Sequence, residues 1–168
     1  GATVLPQLRS FQARIQQISD DVREISHRMH PSILEDLGLA AAMESLAQDL
    51  ELASGVQVRF EATDVPEQVA QPVASCLYRV CQECVRNVMN HANAPAVQIR
   101  LARRGPLLEL EVEDSGVGFD PLTVKQGLGT FSMMERVSLV GGTISVDSRP
   151  HQGTRVTVRV PLGPESEK

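Results

Sequence analysis

From position 78 to position 92 the chain reads Tyr78-Arg79-Val80-Cys81-Gln82-Glu83-Cys84-Val85-Arg86-Asn87-Val88-Met89-Asn90-His91-Ala92. Apolar side chains recur in this segment at steps of three and four, which is the spacing of the buried side of a helix. The same spacing extends upstream toward Pro66, so the pattern predicts one long helix over about residues 68–91. The predicted inner face carries Val69, Val73, Leu77, Val80, Cys84 and Val88.

Two polar residues of this helix, Glu83 and Asn87, are one turn apart and therefore lie on one face. Carboxylate and amide oxygens are hard ligands of the kind that Mg²⁺ prefers, and Mg²⁺ needs few protein ligands when phosphates and water supply the rest. Glu83 could also position or deprotonate a nucleophile. A solvated pair on an exposed helix face has the same spacing, so the pair alone leaves both interpretations open.

Strands are predicted on both sides of the long helix. Alternating apolar residues and turn residues indicate strands at 56–60, 97–101, 107–112, 144–148 and 154–160. Further helices are predicted at 5–29 and at 130–140, and the segment 34–52 is predicted as a turn at Gly38 followed by a second, shorter helix. Neighbouring strands joined by tight turns indicate a mixed sheet with helices on one face. The predicted fold class is therefore α+β, a two-layer sandwich.

A glycine-containing loop follows the third predicted strand. A carboxylate at a strand end can accept a hydrogen bond from an exocyclic amine such as that of adenine. Glycines allow backbone conformations that other residues avoid, and they let a ligand approach the chain closely. A plain turn would use the same residue types. The loop reads Asp114-Ser115-Gly116-Val117-Gly118-Phe119.

Two further glycine segments lie downstream. Gly127-Leu128-Gly129 opens the helix predicted at 130–140, and a helix N-terminus attracts phosphate through its free N–H groups and its dipole. Gly153-Thr154 lies between the last two strands, where the threonine hydroxyl could join an adenine-binding network. A loop tether and a hairpin turn are the respective structural alternatives.

In their order and spacing these four elements resemble the N box, G1 box, G2 box and closing G-T of the GHKL ATPases, which have the Bergerat fold and include gyrase and the histidine kinases. The segment 78–92 is similar to the N box of the nitrate-sensor and desaturase-thermosensor branch of histidine kinases. So is the segment that begins at Gly127 and continues through Met133-Met134-Glu135-Arg136-Val137. The resemblance covers about residues 25–162.

The resemblance implies ATP and Mg²⁺ as cofactors and assigns a role to each matching position. It implies that Asn87 is the Mg²⁺ ligand, that Glu83 is the catalytic acid or base, and that Asp114 contacts the adenine amine. The remaining nucleotide-binding positions that it implies are His91, Gly116, Gly118, Gly127, Gly129 and Thr154. For His91, packing at a helix end is an equally good interpretation.

The chain departs from the pattern of this branch at three positions. Asn90 stands where the branch usually has Lys or Arg, so one possible phosphate contact is missing. Thr130 and Ser132 replace the usual Leu and Gly of the second glycine box. These departures bear on affinity and on the short lid at 119–126 rather than on the identity of the nucleotide.

The region upstream of the long helix is similar to the second dimerisation helix of this branch, over His30-Pro31-Ser32-Ile33-Leu34-Glu35-Asp36-Leu37-Gly38-Leu39. The phosphate-accepting histidine of the family lies in the first dimerisation helix, so His27 and His30 are not the predicted acceptor, which is expected upstream of Gly1. The predicted organisation is a partial dimerisation domain at 1–38, an ATP-binding catalytic domain at 39–163 and a disordered tail at 164–168.

Composition limits the function classes. The net charge of −5 argues against nucleic acid or an anionic membrane as the main partner. No run of about 20 apolar residues and no signal peptide is visible, so a cytoplasmic location without membrane contact is expected for this segment. Cys76, Cys81 and Cys84 fall within the apolar helical pattern, which favours buried thiols over a metal site or a disulfide.

The resulting prediction is the ATP-binding catalytic domain of a two-component sensor histidine kinase, a transferase that would not phosphorylate itself as this fragment. Expected partners are ATP, a response regulator reached through the full-length kinase, and a second copy in a full-length homodimer. Two alternatives remain open. One is a stand-alone GHKL ATPase or an anti-sigma-type serine kinase, and the other is a non-catalytic nucleotide-sensing module.

Overall fold

The computed structural model describes residues 32–120 and 128–163. Its regular elements follow one another in the order helix, strand, helix, two strands, helix, two strands. They are α1 (Ser32–Ser54), β1 (Gln57–Thr63), α2 (Gln71–Asn87) with a π turn (Val88–Ala92), β2 (Ala96–Arg104), β3 (Leu107–Asp114), α3 (Leu128–Leu139), β4 (Thr143–Ser148) and β5 (Thr154–Pro161).

The five strands form one mixed sheet in the order β1-β2-β3-β5-β4. β1 and β2 are parallel, and the other three pairs are antiparallel. The parallel pair requires a crossover, and α2 supplies it. The predicted mixed sheet and the predicted α+β class are both confirmed.

The core lies between this sheet and the helices. On β3, Leu108, Leu110 and Val112 are buried, and they belong to the same apolar cluster as Leu77 and Val80 of α2. The alternate residues of β3 are acidic, and arginines of the neighbouring strands pair with them on the open face of the sheet. These pairs are Arg100–Glu111, Arg155–Glu113 and Arg159–Glu109.

The long helix differs from its prediction at both ends. It begins at Gln71 rather than at residue 68, because Pro72 fits the first turn of a helix, where an N–H group would have no partner. The regular helix ends at Asn87 and continues as the π turn, after which Asn93 takes a left-handed conformation with φ 46°. The predicted end at residue 91 therefore falls inside the π turn, one residue before the helical conformation ends at Ala92.

The helix before β1 bends where the sequence predicted a turn. Gly38 has φ 77° and ψ 168°, values outside the helical region, so Ser32–Ser54 consists of two helical pieces. The piece after Gly38 packs Leu39, Met43 and Leu50 into the core. The predicted helix at 5–29 and the predicted tail at 164–168 lie outside the described residues, and the proposed domain boundary at residue 38 stays a prediction.

The three cysteines are buried free thiols, as predicted. Burial raises the pKa of Cys81 to about 12 and that of Cys76 to about 11, so both thiols stay protonated and unreactive. Within residues 32–120 and 128–163, no cluster of three or more His, Cys, Asp or Glu side chains could hold a metal ion. None of the helices described is both long and apolar enough to cross a membrane.

Candidate functional site

The polar face of α2 carries the predicted metal ligand and the predicted catalytic acid or base. Packing of Val80, Cys84 and Val88 into the core fixes the rotation of the helix, so Glu83 and Asn87 point away from the core. Both side chains are nevertheless partly buried, and that of Glu83 is only 17% exposed. A solvated pair on an open surface does not describe this arrangement.

The sequence reasoning missed the partner of Glu83, which is Arg86. The Arg86 Nη2 atom lies 2.6 Å from Oε2 and 2.8 Å from Oε1 of Glu83, so a single nitrogen contacts both carboxylate oxygens. The i, i+3 spacing of an acid and a base on one helix is a signal that could have predicted this pair.

The first turn of α3 closes over the Glu83 carboxylate. α3 is described from Leu128 onward, so Gly129 lies within the helix rather than ahead of it, as the predicted start at residue 130 implied. A Cβ atom at Gly129 would overlap Oε1 of Glu83 and would come within 2.9 Å of its Cδ. The structure thus brings Glu83 of the long helix and Gly129 of the second glycine segment together. Gly127 lies outside the described residues.

The π turn joins α2 to the glycine loop after β3. The Val117 N–H donates to the carbonyl oxygen of Ala92 at 2.7 Å. Gly116 lies so close to the same carbonyl that a Cβ atom would overlap it. A π turn inside a helix is often found at a functional site. Here it connects Asn87 to the loop that holds the predicted adenine contact, and the predicted phosphate-side residue His91 is exposed on it.

Asp114 is the last residue of β3, and its side chain is buried with 8% exposure. Burial raises the pKa of this carboxyl above its ordinary value of 3.8, because a charged group loses hydration there. Backbone N–H groups of Gly116 and Thr154 lower the pKa and offset part of this effect. The Gly116 N–H donates to Oδ1 at 2.8 Å. A buried carboxylate held in this way is a fixed hydrogen-bond acceptor.

The turn between β4 and β5 supports the same loop. β5 pairs with β3 so that Thr154 lies opposite Asp114. A Cβ atom at Gly153 would overlap the carbonyl oxygen of Asp114, and one at Gly118 would come within 2.7 Å of the carbonyl oxygen of Gly153. The predicted residues Asp114, Gly116, Gly118 and Thr154 therefore form one compact group.

Ser148 was not among the predicted residues, yet its hydroxyl holds this group together. The Phe119 N–H donates to Ser148 Oγ at 2.9 Å, and Ser148 Oγ donates to the carbonyl oxygen of Gly153 at 3.0 Å. The hydroxyls of Ser148 and Thr154 also form a hydrogen bond at 3.0 Å. A serine at the end of a strand carries no distinctive sequence signal, because its partners lie far along the chain.

A groove of about 710 Å³ runs along the edge where β1 and β2 begin and β3 ends. It touches Asp114 and Ser115, but its other lining includes Gln57, Arg59 and Glu113 of the open sheet face. Glu83, Asn87 and Gly129 do not line it. We therefore define the candidate site by two groups of residues rather than by this groove. One group contains Glu83, Asn87 and Gly129, and the other contains Asp114, Gly116, Gly118 and Thr154.

The side chains of α2 fit a magnesium ion that is shared with phosphates. A cage made by protein ligands alone would need several acids, and no such cluster occurs within the described ranges. One amide oxygen at Asn87, together with phosphate oxygens and water, matches the ordinary coordination of Mg²⁺.

The family described as "Histidine kinase-, DNA gyrase B-, and HSP90-like ATPase" matches residues 73–164. The oxygen sensor histidine kinase NreB of Staphylococcus carnosus is 36% identical over 152 residues, which cover 88% of this chain and 43% of NreB. The signal transduction histidine-protein kinase/phosphatase UhpB of Salmonella typhimurium is 38% identical over 152 residues, which cover 88% of this chain and 30% of UhpB. The chain thus spans less than half the length of either relative.

A solved structure of the blue-light activated histidine kinase EL346 of Erythrobacter litoralis has the same fold, with a TM-score of 0.68 and 19% identity. The superposition covers 98% of this chain and 62% of that protein. The family match covers α2 from residue 73, the glycine loop after β3, Gly129 and the final hairpin, which confirms the resemblance seen in the sequence. The chain belongs to the family of histidine kinase-, DNA gyrase B- and HSP90-like ATPases.

Proposed function

We propose that this chain is the catalytic, ATP-binding part of a two-component sensor histidine kinase, and that it transfers the γ-phosphoryl group of ATP to a histidine outside the chain. The observation that carries this proposal is the contact of Gly129 with the Glu83 carboxylate. It joins a glycine segment at a helix N-terminus, which suits phosphate, to a carboxylate that suits acid–base chemistry.

In this proposal ATP lies between α2 and the glycine segments. The adenine amine donates to the Asp114 carboxylate, which the Gly116 N–H already holds in place. Thr154 lies opposite Asp114 in the sheet and completes the adenine side. Gly116 and Gly118 give the base close access to the backbone, while Gly127 and Gly129 flank the phosphates.

The phosphate side depends on Asn87 and Glu83. Asn87 would hold Mg²⁺ through its amide oxygen, and the ion would neutralise phosphate charge during transfer. Glu83 would orient or deprotonate the attacking imidazole. An N–P bond then forms as the bond between the γ-phosphorus and the bridging oxygen breaks, so ADP leaves. Most of the rate enhancement in such a transfer comes from positioning and from charge stabilisation.

The wider assignments follow from the same proposal. The phosphorylated histidine would pass its phosphoryl group to an aspartate of a response regulator. The whole protein would act as a homodimer through the helices that include residues 1–38. A cytoplasmic location of this part would give it access to ATP and to the regulator.

Nucleotide binding by the chain itself tests the proposal first. Isothermal titration should detect ATP binding that depends on Mg²⁺, and Asn87→Ala should weaken it at least tenfold. Gln57→Ala is the matched control, because it removes an exposed amide from β1, away from α2. Absence of Mg²⁺-dependent binding, or unchanged affinity in Asn87→Ala, would contradict the proposal.

Phosphoryl transfer then distinguishes a histidine kinase from other family members. A separately supplied pair of dimerisation helices with an acceptor histidine should become labelled from ATP. Glu83→Gln should slow this labelling by about a hundredfold or more, as expected for loss of an acid–base group, without weakening ATP binding. Steady ATP hydrolysis or serine labelling would instead favour a stand-alone ATPase or a serine kinase.

A further inference from the structure

Among the residues that the structure describes, Arg86 places a positive charge next to Gly129, at the proposed phosphate position. Its Nη2 atom contacts Glu83 and also lies 3.6 Å from the place where a Cβ atom of Gly129 would be. Glu83 Oε1 and Cδ are the two atoms closer to that place. The guanidinium therefore sits where α2 meets the first turn of α3.

Within the described residues, the guanidinium contacts Glu83 through Nη2 and keeps its other donors for a second acceptor. The pair with Glu83 uses Nη2, whereas an arginine has five N–H donors arranged as a planar fork. The Arg86 side chain is 59% exposed, so Nη1 and Nε can meet a ligand without displacing the core. One guanidinium can thus bridge a carboxylate and a phosphate.

Charge makes such a bridge useful at this place. The γ-phosphate and the Glu83 carboxylate are both negative, and their repulsion would weaken binding in a partly buried site. Arg86 lies in the last turn of α2, and Asn90 follows four residues later in the π turn. Asn90 is exposed and uncharged, so Arg86 supplies the positive charge where α2 meets Gly129.

We propose that Arg86 contacts the γ-phosphate of bound ATP and makes the site prefer ATP to ADP while it neutralises Glu83. This inference rests on the proposed function, because it assumes that the phosphates lie at Gly129. An ordinary surface ion pair would contribute little to stability or binding. A γ-phosphate contact by Arg86 and an ordinary Arg86–Glu83 surface pair therefore predict different effects of an Arg86 substitution on the preference for ATP over ADP.

The test compares Mg²⁺-ATP and Mg²⁺-ADP binding to the chain by isothermal titration. Arg86→Gln should weaken ATP about tenfold, or about 1.4 kcal/mol, and should weaken ADP by less than threefold. Arg86→Lys should recover part of the loss. Arg59→Gln removes the same charge from the open sheet face and should leave the ratio of the two affinities unchanged. Equal weakening of ATP and ADP by Arg86→Gln, or no weakening, would overturn the inference.

A second background separates contact with phosphate from support of Glu83. Glu83→Gln should bind ATP at least as tightly as the unmodified chain, because a negative charge is removed. Arg86→Gln should still weaken ATP in that background. If its effect disappeared there, Arg86 would act only through Glu83, and the inference would be wrong.

Thermal melting of each variant verifies that it is folded. Failure of the inference is distinguishable from failure of the proposed function. In the first case the chain binds Mg²⁺-ATP and Asn87→Ala weakens it, but Arg86→Gln does not change selectivity. In the second case the unmodified chain binds neither nucleotide.

Discussion

Gly129 lies directly against the carboxylate of Glu83, and the space between α3 and α2 at this place does not admit a methyl group. The obstacle is the far end of a flexible side chain rather than backbone. A larger residue at 129 can therefore be accommodated if the Glu83 carboxylate turns away. This makes the position a means of disturbing the proposed chemistry without disturbing the fold.

We expect Gly129→Ala to change the free energy of unfolding by less than about 1 kcal/mol. Alanine stabilises a helix by about that much relative to glycine, and this gain offsets the cost of the contact with Glu83. Phosphoryl transfer to a separately supplied acceptor helix should fall at least tenfold, since Glu83 and its Arg86 partner are displaced. Urea unfolding and a labelling assay measure the two effects. A variant with full transfer activity would show that the Glu83 position does not matter.

Gly153→Ala should behave in the opposite way and destabilise the fold. Gly153 has φ 72°, and a Cβ atom would overlap the carbonyl oxygen of Asp114, which belongs to a sheet and cannot move easily. We expect a loss of at least about 2 kcal/mol in urea unfolding.

Gly105→Ala is the matched control for this loss. Gly105 has φ 62°, with no atom within 4 Å of its Cβ position, so the substitution shows the backbone cost alone. If the two variants lost equal stability, steric overlap at Gly153 would contribute nothing.

The parts of the fold that could be predicted are those with local patterns. The apolar spacing of α2 and the alternation in β3 each follow from which side chains face the core. Gly38 marked the bend within α1 correctly, with φ 77°. The family match confirms that the order of the four motifs was informative.

Other features could not be predicted because they depend on contacts between distant residues. The residues of the π turn continue the apolar spacing of a helix, so the sequence does not distinguish this turn from α2. In the structure, the Val117 N–H donates to the Ala92 carbonyl oxygen at the end of the turn. Ser148 gains its role from a hydrogen bond with Phe119, 29 positions away. Local sequence specifies neither contact, since both require the sheet and α2 to be packed together first.

Ser148→Ala should therefore weaken the loop after β3. The substitution removes the acceptor of the Phe119 N–H and the donor to the Gly153 carbonyl in a buried place. A cost of about 1–3 kcal/mol is expected when buried partners lose their hydrogen bonds. Affinity for ATP should also decrease, because Thr154 loses its hydroxyl partner.

Ser145→Ala is the matched control for Ser148→Ala, since Ser145 is exposed on the same strand. We expect it to change the midpoint of urea unfolding little. Equal effects of the two variants would argue against a special role of Ser148.

Asp114 gives the fold a pH dependence whose direction follows from its raised pKa. Burial is the largest cause of this rise above 3.8, and it outweighs the N–H groups of Gly116 and Thr154. The folded state binds the proton of Asp114 more tightly than the unfolded state does. Protonated Asp114 therefore contributes its full stabilisation below pH 3.8. This stabilisation is lost as pH increases through the higher folded pKa.

Asp114→Asn removes this titration and keeps the shape of the side chain. The unfolding free energy of the unmodified chain minus that of Asp114→Asn should therefore be most positive in acid and should decrease as pH rises, then become constant above the folded pKa. Urea unfolding over a pH series measures this difference. An increase with pH would mean that the two N–H donors outweigh burial and that the pKa is lowered.

Near neutral pH the same variant should bind ATP more weakly, because an amide presents one acceptor oxygen where the carboxylate presents two. Retained charge at Asp114 would then cost stability and serve adenine recognition.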